Sequence, residues 1–348
     1  MKDNDVYMFL NEIGSEFNQG SNTTENNQYY SLIDAEKRFV LSGRTALNHI
    51  AKDFKAKRKK NKIAIPFYCC STMIEPFLIE GFDISFYISK EIPESDIILI
   101  MDYFGFISDS TVKFAKMCRS KGTTIIVDAT QTAFSKSELY EYADYLIVSY
   151  RKWTDCLCAA VYSRNGFVVN ECELESNYVS MWRKAAELKS EFLSNRIGEK
   201  SVFLEKYSEA NNYLAKNWIN YKADISEIKR FMQINSDQLI CKRRENAQIL
   251  LNYLKCIKNV KLMFSVIREN DCPMFVPIIV EDRNKLRQYL ISKSIYCPVH
   301  WPITDLHKKI TTTSIYNEEI SLVCDQRYER EDMLRIISVI DEFYEKEV

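Results

Sequence analysis

Two apolar runs in this chain end in an acid and an amine. Thr123-Thr-Ile-Ile-Val127 leads into Asp128, and Tyr145-Leu-Ile-Val148 leads into Ser149 and then Lys152. Short apolar runs of this kind suit buried strands, which puts the carboxylate and the amine just past strand ends. An amine so placed can form a Schiff base with an aldehyde, and a carboxylate can keep a ring nitrogen protonated. Pyridoxal phosphate needs both groups. The competing reading is structural, with Asp128 as a helix cap and Lys152 as an ordinary surface lysine. Ser42-Gly-Arg-Thr-Ala-Leu47 adds a third feature, because it places small and hydroxyl residues where a long helix starts. A helix start offers uncapped N–H groups and a positive dipole end to a phosphate. Gly43, Arg44, Thr45 and Ser149 are therefore candidate phosphate contacts, although Ser42-Gly43 also reads as a plain N-cap. Gln131 follows Asp128 closely enough to bond a ring hydroxyl. A free lysine, with a pKa of about 10.4, is a poor nucleophile at neutral pH, and the neighbouring Arg151 would disfavour a second cation beside it.

The elements that must hold these groups alternate along the chain. A helix is expected from Ser42-Gly43 through Lys60, a strand at Lys62-Ile-Ala-Ile-Pro66, a helix from Ser71 to Glu80 and a strand at Ile84–Ile88. A strand from Asp96 to Asp102 and a helix from Asp109 to Lys121, closed by Gly122, come next. Strands at 123–128, 144–149 and 158–163 complete the series. Strands separated by helices imply βαβ units and a mostly parallel sheet, whose ligands lie beyond the carboxyl ends of the strands. Pro66, Asp102, Asp128 and Ser149 to Lys152 all fall there. Residues 1–38 read as a polar, irregular leader with at most one short helix, residues 39–235 as a large domain, and residues 236–348 as a connecting helix and a small domain. The small domain is expected to hold a strand at Met274–Val280, a helix at Asp282–Ser292, a short strand at Ile295–Pro298 and an amphipathic helix at Glu329–Glu345.

Composition removes several classes. The chain has 348 residues, 46% hydrophobic, with 47 basic and 48 acidic side chains, so no net field draws it to nucleic acid or a membrane surface. Acids at Asp3 and Asp5 interrupt the place where a signal peptide would be apolar, which favours a cytoplasmic protein. The longest apolar runs, such as Ile97-Ile-Leu-Ile-Met101, are too short to span a bilayer. The 11 cysteines are scattered and the histidines number 3, His49, His300 and His307, without zinc-ligand spacing. Reduced thiols and no metal are expected. The basic run Lys55–Lys62 reads as the end of the first helix, with its cations in solvent, rather than as a nucleic-acid patch. No Gly-x-Gly-x-x-Gly turn follows any expected strand, which argues against a dinucleotide site.

Taken in order, these residues resemble the DegT/DnrJ/StrS group of sugar aminotransferases, within the fold type I pyridoxal-phosphate enzymes. The carriers are Ser42-Gly-Arg-Thr-Ala-Leu47, Ile65-Pro-Phe-Tyr-Cys-Cys70, Asp102-Tyr-Phe-Gly105, Asp128-Ala-Thr-Gln131 and Ser149-Tyr-Arg-Lys-Trp153, with Pro298-Val-His-Trp-Pro302 and Ser321–Tyr328 further on. The resemblance runs from about residue 38 to the C-terminus and implies an α/β fold. Its mostly parallel seven-stranded sheet lies between helices and is followed by a small C-terminal α/β domain. It also implies a homodimer with active sites at the interface. By motif match, Lys152 is the Schiff-base lysine, Asp128 the pyridinium partner, and Gln131 a contact to the ring hydroxyl. Gly43, Arg44, Thr45 and Ser149 form the phosphate cradle. The usual stacking aromatic aligns with Cys70, so Tyr68 or another ring must take its place. Arg151 and His300 are candidate substrate contacts. The implied reaction moves an amino group from an amino acid, typically glutamate, to a keto group of a nucleotide-linked sugar. Three departures stand out. Thr154-Asp-Cys-Leu-Cys-Ala-Ala160 replaces a glycine-rich turn, the serine lies closer to the lysine than in many members, and no segment matches the asparagine loop that reaches the partner's phosphate. They leave open a second reading, a degenerate fold type I protein that binds a ligand or partner without transamination.

Overall fold

The computed structural model describes residues 12–18, 27–88, 91, 93–195, 198–302 and 315–346. Most of the polar stretch from Gly20 to Asn27, together with His307, lies outside the described residues. The first element is β1 (Ile13–Gly14). The chain then alternates through β2 (Glu36–Val40), α1 (Gly43–Arg58), β3 (Lys62–Pro66), α2 (Ser71–Ile79), β4 (Asp83–Tyr87) and β5 (Ile97–Ile100). Next come α3 (Asp109–Ser120), β6 (Thr124–Asp128), β7 (Tyr145–Ser149) and β8 (Ala159–Ser163). Helices α4 (Tyr178–Asn195), α5 (Lys200–Lys216), α6 (Ile225–Met232) and α7 (Ser236–Leu254) follow. The remaining elements are β9 (Lys261–Leu262), β10 (Phe275–Ile279), α8 (Arg283–Ser292), β11 (Ile295–Tyr296), α9 (Ile315–Glu318), β12 (Glu319–Val323) and α10 (Arg330–Lys346).

These elements fall into two compact units. Of the described residues, one unit holds those from Phe17 to Tyr103 and from Ser108 to Ser236; the other holds those up to Glu16, Phe104–Ile107 and those from Asp237. In the larger unit a seven-stranded sheet has the order β2-β8-β7-β6-β5-β3-β4. Strands β4, β3, β5, β6 and β7 are parallel, whereas β8 runs antiparallel to both of its neighbours, β7 and β2. Every residue of Ile97–Ile100 is buried, as expected of a parallel strand covered on both faces. Burial of each such isoleucine stabilises the sheet by roughly 1.5–3 kcal/mol. Ser42 caps α1, its side chain accepting from the Thr45 amide, and Gly122 follows α3 with φ of 75°.

Two expectations change here. The last turn of α1 does carry Lys55, Lys57 and Arg58, but Lys57 is not left in solvent. Its ammonium lies 2.6 Å from Asp53, a fully buried carboxylate, because the flexible stem can lie along the helix face. The N-terminal stretch is not wholly irregular either, since β1 pairs in parallel with β11 through Ile13–Ile295 and Gly14–Tyr296.

The smaller unit is built on an antiparallel sheet ordered β12-β10-β9. Its core includes Leu250, Val276, Ile278, Leu290, Ile320 and Ile336. Gly105 belongs to this unit and has φ of 87°, and a Cβ there would stand 1.8 Å from the Cys272 carbonyl oxygen, so only glycine fits. Among the described residues, no helix is long and apolar enough to cross a membrane and no side-chain cluster would hold a metal.

Candidate active site

Strands β6 and β7 lie side by side and parallel, with Asp128 opposite Ile147. Their carboxyl ends therefore bring Asp128 and Ser149 to the same edge of the sheet. No α-helix follows Asp128, so it is not a helix cap. Its Oδ1 instead accepts from the Thr130 amide at 2.8 Å, closing a tight turn. The Thr130 hydroxyl oxygen accepts from the Ser149 amide at 3.2 Å, and the Thr130 carbonyl accepts from Trp153 Nε1 at 2.6 Å. One residue thus ties the acid-bearing turn to both sides of Lys152. The sequence displayed Thr130 within Asp-Ala-Thr-Gln, but nothing local marks it as the hub, because its partners come from the next strand.

Asp128 is almost wholly buried. Burial pushes its carboxyl up to about 6, and hydrogen bonds from Thr130 pull the other way. Gln131 is buried beside it in sequence. Lys152 closes a short 3-10 turn, Tyr150–Lys152, that leaves β7, and it is exposed. Trp153 is completely buried and packs edge-on against Phe134, which makes it core rather than a wall of the site.

The start of α1 meets this edge. A Cβ at Gly43 would lie 3.5 Å from the Ser149 Cβ, so the first residue of the helix and the last of β7 are neighbours. The Thr45 amide is taken by Ser42 and its hydroxyl donates to the Trp218 carbonyl at 2.7 Å, which leaves Thr45 a scaffold for the turn. The Gly43 and Arg44 amides are the first-turn donors that Ser42 does not cap. Arg44 reaches Glu75 at 3.2 Å and the Ala215 carbonyl at 3.1 Å. Burial lowers its pKa, Glu75 opposes that, and the charge of Arg151 adds to the lowering. Arg151 itself has a buried Nε with no acceptor among the described residues. Tyr68 is half-buried with its ring 5.2 Å from that of Tyr103, and Cys70 bonds Thr72.

His300 belongs to the other unit, where it contacts Ser321 through Nδ1 at 2.8 Å. Ser321 donates its hydroxyl proton to the buried Glu319, which leaves its oxygen able to accept from Nδ1–H of His300. The structure therefore gathers Gly43, Arg44, Thr45, Asp128, Gln131, Ser149, Arg151 and Lys152 within one unit, and His300 is described apart from them.

No protein-family model and no curated protein matches this chain. Solved structures do. An aminotransferase from Helicobacter pylori, PseC, involved in the biosynthesis of pseudoaminic acid, is similar with a TM-score of 0.66 at 16% identity, covering 99% of this chain and 97% of that one. The fold is that of fold type I aminotransferases. A DegT DnrJ EryC1 StrS aminotransferase from Brucella abortus shares it with a TM-score of 0.58 at 14% identity, over 89% of this chain and 86% of that one. So does the PLP form of Spr1654 from Streptococcus pneumoniae, with a TM-score of 0.60 at 14% identity over 95% and 94%. Within this fold type I frame, the Thr130 contacts offer a direct test. Thr130→Val keeps the shape and removes the acceptor of the Ser149 amide, so it should cost about 1 kcal/mol in urea unfolding, the low end for a part-buried unpaired donor. Thr130→Ser should recover it, and a valine variant as stable as the parent would remove Thr130 from this role.

Proposed function

We propose that this chain is a pyridoxal-phosphate-dependent aminotransferase of the DegT/DnrJ/StrS group. In this reading it moves an amino group from an amino acid, with glutamate as the expected donor, to a keto group of a nucleotide-linked sugar, and it acts as a cytoplasmic homodimer. The observation that carries the reading is the Thr130 knot, which holds a buried acid at the end of β6 against the strand that delivers Ser149 and Lys152. The likeness in fold to sugar aminotransferases supports the same assignment.

The residues fit the cofactor on two counts. A buried carboxylate whose pKa is raised by burial suits a protonated ring nitrogen. The first-turn amides of Gly43 and Arg44, which Ser42 does not cap and which begin the helix beside Ser149, suit a phosphate. Bound there, pyridoxal phosphate supplies an aldehyde carbon and an electron-accepting ring. Asp128 holds the proton on the ring nitrogen, and Gln131 bonds the ring hydroxyl. Gly43, Arg44 and Ser149 hold the phosphate on the turn that Thr45 braces, and Tyr68 is the ring offered for stacking. Lys152 Nζ would hold the cofactor through its aldehyde carbon, with loss of water, and would carry a proton to and from the α-carbon of the amino donor. Arg151 and His300 are the residues assigned to substrate.

Purification with added pyridoxal phosphate tests this reading. A yellow chromophore should form, borohydride should fix it to Lys152 in peptide mass mapping, and glutamate should change its spectrum. No chromophore would remove the cofactor assignment. A fixed adduct that no amino donor alters would favour a binding protein over a transaminase.

A further inference from the structure

The segment after Lys152 lacks the glycines expected of it, yet it is tightly built. Trp153, Thr154, Asp155, Cys156, Leu157 and Cys158 are all buried, and none has positive φ. What replaces glycine is a clamp made by one guanidinium. Arg183 on α4 donates through Nη1 to the Asp155 carboxylate at 2.9 Å and through Nη2 to the Asp155 main-chain carbonyl at 2.8 Å. It also reaches both carboxylate oxygens of Glu227 on α6, at 3.1 and 2.5 Å. Glu227, itself buried, accepts from the Leu157 amide at 2.8 Å. The main chain is therefore gripped at Asp155 and at Leu157, and Trp153 is gripped by Thr130 on the other side.

We propose that Arg183 is a positioning residue for Lys152, fixing through Asp155 and Glu227 the backbone that follows the lysine. The proposal rests on the reading of Lys152 as the amine that bonds the cofactor. A bridge that served only to join helices would link α4 to α6 through side chains. Here the bonds end on the loop's own carbonyl and amide, so the backbone beside Lys152 is what they restrain. The planar fork of arginine meets these acceptors together, which the single ammonium of a lysine cannot do. Misplacing a reacting group by about 1 Å costs on the order of 100-fold in rate.

Removing Arg183 alone would leave the buried Asp155 and Glu227 only the longer contacts to Arg230, at 3.7 and 4.0 Å, and endanger folding. The test therefore uses Arg183→Lys, the pair Arg183→Met with Glu227→Gln, and Asp155→Asn. The double variant keeps an acceptor for the Leu157 amide and leaves Asp155 beside Arg230, at 3.7 Å. Asp155→Asn keeps the side-chain shape and leaves Arg183 paired with Glu227. Full-length protein with added pyridoxal phosphate would be read by circular dichroism, by the pH midpoint of the Lys152-bound chromophore, and by kcat and KM for the amino donor. Folded variants should show the midpoint moved by about one unit and kcat reduced on the order of 100-fold. KM for the donor should stay within about twofold, and Asp155→Asn should shift in the same direction by less. Rescue by Arg183→Lys, or a wild-type midpoint and kcat in Asp155→Asn or the folded double variant, would overturn the positioning role. A wild-type protein that forms no chromophore would overturn the cofactor reading instead, and this proposal with it.

Discussion

Lys152→Ala is expected to lower turnover by on the order of 10²–10⁴-fold, the span a positioned proton carrier contributes, and to abolish the borohydride-fixed adduct. The fold should be untouched. Lys152 is exposed, and substitutions at exposed positions usually change stability by no more than about 0.5 kcal/mol. The contacts that hold the site, from Thr130 to Asp128, Ser149 and Trp153, do not pass through the lysine side chain. Lys152→Arg should fail as completely as alanine, because it keeps the cation without a nucleophilic amine. A small primary amine added to the alanine variant should restore part of the rate. Measured kcat with glutamate and the urea midpoint check both halves, and an alanine variant within tenfold of the parent would remove Lys152 from the chemistry.

Asp128→Asn should make the cofactor-free protein more stable at pH 7 while weakening its hold on the cofactor. Burial raises the Asp128 carboxyl from its ordinary 3.8 to about 6. Between these values the native state binds a proton that the unfolded chain has released, so the contribution of Asp128 to stability is fully present below 3.8 and is lost as pH rises through 6. Above that the ionised carboxylate costs the cofactor-free protein roughly 3 kcal/mol, at about 1.4 kcal/mol for each pKa unit. Asparagine keeps an acceptor for the Thr130 amide and removes the charge, so its advantage should be largest at pH 7 and vanish near pH 4. A protonated ring nitrogen offsets the same cost, and the variant should lose that gain as weaker cofactor binding. Urea unfolding of the cofactor-free proteins at the two pH values decides it. An asparagine variant less stable than the parent at pH 7 would contradict the assigned environment.

The sequence revealed elements more readily than their pairing. Ile97–Ile100 and Tyr145–Ser149 are continuous apolar runs, and a strand buried on both faces leaves that trace. The antiparallel course of β8 and the pairing of β2 with it left no such trace, because strand direction depends on where the chain returns and not on local pattern. The same holds for Ile13–Gly14, which pairs with residues far along the chain. The strand-end positions of Asp128, Ser149 and Lys152 were legible because the apolar runs before them mark buried strands. Trp153 was not, since a buried indole and a site wall look alike in one dimension. Arg183 and Glu227 looked like ordinary charges on polar helices.

The sequence specified which groups could do chemistry here: an acid and an amine beyond two buried strands, and a helix start rich in small residues. Residue chemistry and short-range periodicity suffice for that. Tertiary structure decided what holds them. It showed Asp128 closing a turn through Thr130 instead of capping a helix, and it committed the Thr45 hydroxyl to Trp218. It also showed the glycine-free segment after Lys152 fastened by Arg183 and Glu227. Apart from the Asp128 turn, those bonds join residues distant in sequence, and only the folded backbone brings their donors and acceptors within reach.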